Sequence, residues 1–252
     1  MEQLLAALAG GLLATLGTTL GALLVLIPWL SRGEQREVLI DVGLAFGSGV
    51  MIVASFVSLL LPSVEKGGLL LSLIGLILGA AAVAMANEVV PHEHLVKGFE
   101  GPAEMKRKVK AAWLVALAII IHNVPEGYSI GVASAYDVYD GIKVALAITL
   151  QDMPEGFAVA LPLLAITGSG VKAVGIAFLS GLSELLTSVL AAAVLSDVSW
   201  ALSLGLSSAA GAMIYVVSHE ALPESHRSGR EKQATVGFFL GFVIMLILDS
   251  AI

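Results

Sequence analysis

Two six-residue stretches, HNVPEG at 122–127 and QDMPEG at 151–156, put polar groups where the surrounding residues are almost wholly apolar. The first sits inside AAWLVALAIIIHNVPEGYSIGVASA and the second inside KVALAITLQDMPEGFAVALPLLAIT. Helical residues four apart share a face. His122 and Glu126 therefore stack one turn apart, with Asn123 beside His122. Gln151 and Glu155 repeat the arrangement, with Asp152 beside Gln151. A further apolar run, AFLSGLSELLTSVL, contains Glu184. One charge at the centre of a membrane helix costs at least ~2.5–3.5 kcal/mol even on the lenient insertion scale, so such groups mark function.

One imidazole, two amides and four carboxylates (Glu126, Asp152, Glu155, Glu184) make up this donor set, and the chain has no cysteine to add a thiolate. That chemistry suits divalent ions of hard or borderline character, Zn²⁺, Mn²⁺, Fe²⁺ or Cd²⁺, and argues against Cu(I). Two divalent cations would balance the four carboxylates. Pro125 and Pro154 each lack an N–H, which leaves the carbonyls of Ile121 and Leu150 without their helical donor. In lipid such a loss is tolerated only against protein or a wet cavity. Gly127 and Gly156 leave room for a neighbouring helix. A proton relay could use the same carboxylates and is the transport-class alternative. An intramembrane metalloprotease would need H-E-x-x-H; here His122 precedes Asn, and Glu224 is the fifth residue after His219.

The elements that must hold these groups are membrane spans. The chain is 252 residues long, 58% hydrophobic and 13% charged, against roughly 45–50% and about 25% in soluble domains. At about 20 residues per span, eight fit: 4–30, 39–62, 68–90, 111–136, 143–167, 171–194, 199–222 and 234–251. The first lacks a basic n-region and exceeds the usual ~7–15-residue core of a signal peptide, so it reads as a span. Short connections leave no room for a soluble domain, and residues 1–252 read as a single transport domain. Eleven of the thirteen basic residues fall in the connections between spans 1–2, 3–4, 5–6 and 7–8; only Lys66 and Lys143 lie on the other side. That bias puts both termini outside the cytoplasm. Glu65 and Asp249 then belong to an acidic outer mouth that concentrates cations. The net charge of −7 argues against a nucleic-acid partner, which would require a basic face.

At HNVPEG, QDMPEG, the Glu184 segment and AGAMIYVVSHEALPESHR, the sequence resembles the ZIP (Zrt/Irt-like) family of divalent metal transporters, and the likeness covers nearly the whole chain. The variant with Gln-Asp in the fifth span is closest to bacterial members. The resemblance implies an all-α membrane fold of eight helices, with inverted three-helix repeats flanking spans 4 and 5. It also implies a binuclear site that binds transported Zn²⁺, or a similar metal such as Cd²⁺, with no prosthetic group. His122, Glu126, Gln151 and Glu155 match the primary site; Asn123, Asp152 and Glu184 match the second, bridged by Glu126 and Glu155. Met51 matches a position beside the primary site. A multi-pass protein of the bacterial cytoplasmic membrane, working as a homodimer, is what the family leads one to expect. The His-rich cytoplasmic loop usual in the family is reduced here to PHEH, with His92 and His94, which puts loop-based metal sensing in doubt. His219 and Glu220, at the end of span 7, are candidates for passing metal onward.

Overall fold

The computed structural model describes residues 1–28, 33–94, 98–101, 111–195 and 199–251. Its helices are α1 (Glu2–Leu23), α2 (Gly33–Val53), α3 (Leu61–Val89), α4 (Ala111–Tyr136), α5 (Val138–Thr167), α6 (Gly170–Leu195), α7 (Ser199–Val216), α8 (Leu222–Ser225) and α9 (Glu231–Ala251). A π-helical segment, Ala54–Leu60, joins α2 to α3, and a second, Val217–Ala221, joins α7 to α8.

Among the described residues, seven helical stretches are long and apolar enough to cross a membrane. One of them, Gln35–Val89, has 55 residues. Straight, it would run about 80 Å against a hydrocarbon core of about 30 Å. It does not run straight. Gly68 breaks the helix with φ 76° and ψ 164°, a conformation that strains any residue with a Cβ. The hydroxyls of Ser63 and Ser72, nine residues apart, consequently lie 2.7 Å from each other. Ser63 also donates to the Ser203 carbonyl at 2.8 Å, tying both arms to α7. This stretch is therefore two helices that meet at Gly68, each long enough for a span of its own.

The helices pair in a pattern that survives exchange of the two halves. α1 packs on α5 as α6 packs on α4, and α2 packs on α9 as α3 packs on α7; α2 also meets α5 as α7 meets α4. Swapping α1 with α6, α2 with α7, α3 with α9 and α4 with α5 restores the same contacts. With no hydrophobic force between helices in lipid, close packing over small residues has to hold them together. The two PEG glycines do this. Gly127 lies against the Glu184 backbone of α6, and Gly156 against the Thr18 backbone of α1.

Two differences from the sequence reading are local. α5 begins at Val138 rather than near 143, because Asp137 caps it by accepting from the amides of Tyr139 (2.8 Å) and Asp140 (3.2 Å). That bond satisfies helix-end donors and fixes the turn from α4. The 91–110 connection also contains two short antiparallel strands, β1 (His92–His94) and β2 (Gly98–Glu100), pairing His92 with Glu100. Of the basic residues behind the orientation argument, Arg32, Lys97, Lys106, Arg107, Lys108 and Lys110 lie outside the described residues.

Candidate metal centre

Both α4 and α5 stay helical through Pro125 and Pro154. Packed side by side, they turn their polar faces toward each other, and α6 supplies Glu184 from a third direction. Glu126, Asp152 and Glu184 are all within 1% of complete burial. Carboxylate oxygens of Glu126, Asp152 and Glu155 come within 4.8 Å of one another. Glu126, Asp152, Glu155 and Glu184 are near enough to repel one another when ionised.

The hydrogen bonds do not satisfy this cluster. Gln151 Nε2 donates to Glu126 Oε1 and, at 2.7 Å, to Asp152 Oδ1. Thr18 donates its hydroxyl to Glu184 Oε1 at 3.0 Å. Among the described residues, the opposite oxygens, Glu126 Oε2, Asp152 Oδ2 and Glu184 Oε2, find no hydrogen-bond partner, and neither does Asn123 Nδ2. A buried polar atom left so costs about 1–3 kcal/mol, and more if charged. A half-turn of the Asn123 or Gln151 amide presents its carbonyl oxygen instead. The donor set thus fits a divalent cation bound through oxygens.

His122 completes the picture at the cavity edge. Its Nδ1 donates to the Ala118 carbonyl at 2.7 Å, the arrangement that commonly leaves Nε2 as the metal donor of a ligating histidine. Nε2 stands 2.5 Å from Glu220 Oε2, and Glu220 Oε1 accepts from Asn87 Nδ2 at 2.6 Å. A cavity of about 80 Å³ is bordered by Met51, His122, Gln151 and Glu155 and extends to Val115, Pro162 and Glu224. Those last residues mark the end of the bundle where α4 begins and α5 finishes. Beyond the cluster in the opposite direction, Ile130, Ala133, Val144 and Ile148 form solid apolar core.

Six of the residues read from the sequence as ligands, His122, Glu126, Gln151, Asp152, Glu155 and Glu184, thus lie near one another, with Met51 beside them, and Asn123 is buried next to His122 on α4. The accessory candidates separate. Glu220 reaches His122, but its neighbour His219 is exposed and lies against the Tyr215 ring at 5.0 Å. Asp249 accepts from Ser58 at 2.9 Å, while Glu65 is exposed. His92 is fully buried, its Nδ1 donating to the Val90 carbonyl at 2.7 Å and its Nε2 3.6 Å from Glu100; the side chain of His94 lies outside the described residues. Thr18 and Asn87 went unread in the sequence. Both are polar residues inside apolar runs, GTTLGALL and AMANEVV, the signal that could have found them.

Membrane-crossing helices around a buried acidic cluster define a polytopic membrane protein of the transporter class. The family model described as ZIP Zinc transporter matches residues 86–249. The chain is 39% identical to zinc transporter GufA of Myxococcus xanthus, over 98% of its own length and 99% of that protein. It is 39% identical to zinc transporter ZIPB of Bordetella bronchiseptica over 98% and 81%, and 39% identical to zinc transporter ZupT of Corynebacterium glutamicum over 94% and 95%. The chain belongs to the ZIP zinc transporter family, whose members move metal and are not enzymes.

Proposed function

We propose that this chain carries Zn²⁺, and with it Cd²⁺, Fe²⁺ or Mn²⁺, into the cytoplasm through a two-metal centre on α4, α5 and α6. His122, Gln151, Glu126 and Glu155 hold the primary ion, with Met51 beside it. Asn123, Asp152 and Glu184 hold the second, and Glu126 and Glu155 bridge the two. The observation that carries this reading is the set of unpartnered buried atoms on Asn123, Glu126, Asp152 and Glu184. Each carboxylate has two oxygens, so one can serve each ion.

The basic bias of the connections supports a topology with both termini outside. The cavity of the primary site then opens to the cytoplasm, and the arrangement is inward-facing. Transport follows when one helix group moves against the other about the centre. By family resemblance we take the working unit to be a homodimer in the bacterial cytoplasmic membrane. The test is uptake of Zn²⁺ into proteoliposomes alongside metal stoichiometry on purified protein. Two bound ions at this centre and metal-dependent uptake are expected. A proton current without metal, or a protein that binds no metal, would defeat the proposal.

A further inference from the structure

α2 and α7 carry matching segments in the two halves of the molecule. Gly49-Val50-Met51-Ile52 on α2 corresponds to Gly211-Ala212-Met213-Ile214 on α7. Gly49 lies against the backbone of α9 at Phe238, and Gly211 against the backbone of α3 at Leu76. Each methionine is followed within a turn by a π-helical segment, and each of those by a Leu-Pro pair, Leu61-Pro62 and Leu222-Pro223. Met51 and Met213 are therefore equivalent positions in the fold.

Their surroundings differ in one respect. Met51 borders the cavity with His122, Gln151 and Glu155. Met213, fully buried, instead has its Sδ 3.0 Å from the Ser129 hydroxyl, which also reaches the Pro125 carbonyl at 2.7 Å. Ser129 follows His122 and Glu126 on one face of α4, in the i, i+4, i+7 series. The thioether of Met213 thus faces the stripe that carries two candidate ligands, one turn too far along.

We propose that Met213 is the sulfur ligand of the outward-facing centre, taking there the place that Met51 has in the inward-facing one. Exchange of the two halves turns the group Met51, His122, Gln151, Glu155 into Met213, Gln151, His122, Glu126. A slide of α4 along α7 by about one turn, ~5.4 Å, puts Glu126 where Ser129 now stands; one-turn shifts between packed elements are an established form of switching. The direction is consistent, because α4 runs from the cytoplasmic end outward in the proposed topology. An ion entering from outside then meets a thioether first and leaves past another. A polarizable sulfur favours the softer Cd²⁺ over Zn²⁺, so the pair contributes to metal choice.

The proposal rests on the transport reading above, and the experiment separates the two. Initial uptake of Zn²⁺ and of Cd²⁺ is measured in proteoliposomes across external concentrations, and equilibrium binding of both ions on purified protein, for wild type, Met213→Leu, Met213→Cys and Met51→Leu. Met213→Leu keeps the volume and loses the sulfur. It should raise the external KM for Cd²⁺ by about tenfold and that for Zn²⁺ by less, with equilibrium binding at the inward-facing centre unchanged. Met213→Cys should restore the preference for Cd²⁺, and Met51→Leu should alter equilibrium binding. An unchanged ratio of the two KM values in Met213→Leu, or equal losses for both ions that Met213→Cys does not repair, would show Met213 to be packing and overturn the proposal. Failure of the wild type to take up either ion would instead remove the transport reading.

Discussion

His122 on α4 and Glu220 on the π-helical segment after α7 face each other, Nε2 to Oε2 at 2.5 Å. Asn87 on α3 holds the other Glu220 oxygen. An ion on His122 has to displace this contact, and the released carboxylate then lies on the way out. Glu220→Gln keeps the shape and removes the charge. It should lower kcat for zinc uptake about tenfold, close to 1.4 kcal/mol on the barrier, and leave the number of bound ions unaltered. Unchanged kcat in a well-folded variant would assign Glu220 a structural part only.

Glu184 tests the division into two sites. Its Oε1 takes the Thr18 hydroxyl and its Oε2 finds no hydrogen-bond partner among the described residues. Glu184→Ala should therefore lose the second ion and keep the first, with some transport remaining. Glu155→Ala should lose both ions and abolish uptake. Thr18→Val should weaken the second ion alone, since Glu184 then loses its positioning donor. Loss of both ions in Glu184→Ala would contradict a bridged pair.

Much of this centre was legible because charge in an apolar helix is costly enough to be informative. His122, Glu126, Gln151 and Glu155 announce themselves by i, i+4 spacing around a repeated Pro-Glu-Gly. Thr18 and Asn87 were not legible, because a hydroxyl or amide in a membrane helix often bonds its own backbone. Thr19 and Thr149, for example, donate to carbonyls four residues back. The adjacent pair His219 and Glu220 shows a further limit. Neighbouring helical residues point about 100° apart, and the π-helical winding of Val217–Ala221 alters the register again. Only the fold says which of the two turns inward. The break at Gly68 was foreshadowed by Lys66-Gly67-Gly68, whereas the Asp137 cap was hidden, since an aspartate after a span reads equally well as loop.

The glycine of the second PEG carries a stability prediction. A Cβ on Gly156 would stand 2.8 Å from the Thr18 carbonyl carbon on α1, and backbone cannot move aside as a flexible side chain can. Gly156→Ala should push α5 off α1 and disturb Glu155 and Thr18 together. A fall in thermal stability with loss of metal binding is expected. By contrast, Gly175→Ala on α6, where a Cβ meets nothing within 4 Å, should be silent in both assays. Equal behaviour of the two variants would show that the α1–α5 contact yields.

Orientation is open to a direct reading. A reporter fused after Ile252 should give an extracytoplasmic signal, and one inserted between Gly168 and Gly170, where α5 ends in a left-handed glycine cap with φ 65°, a cytoplasmic one. The reverse pattern would make the cavity beside His122 an entrance rather than an exit.

The outer mouth allows the remaining prediction to be made quantitative. Asp249 on α9 is half-buried and accepts from Ser58 on the π-helical segment before α3, whereas Glu65 is exposed. Both belong to the outer side in the proposed topology. An exposed charge acts over the Debye length, about 30 Å at 0.01 M salt and about 10 Å at 0.1 M. Glu65→Gln should therefore raise the KM for zinc at low ionic strength and have no effect at physiological salt. Asp249→Asn keeps a hydrogen-bonding partner for Ser58 but loses the charge in a partly screened position. Its effect should be the larger of the two, about threefold to tenfold in KM, and should persist as salt rises because a partly buried charge is screened less. The measurement is initial uptake into proteoliposomes at several salt concentrations for each variant. If both variants lose their effect at the same salt, Asp249 only steers ions from a distance; if Asp249→Asn is silent throughout, zinc does not enter past Ser58 and Asp249.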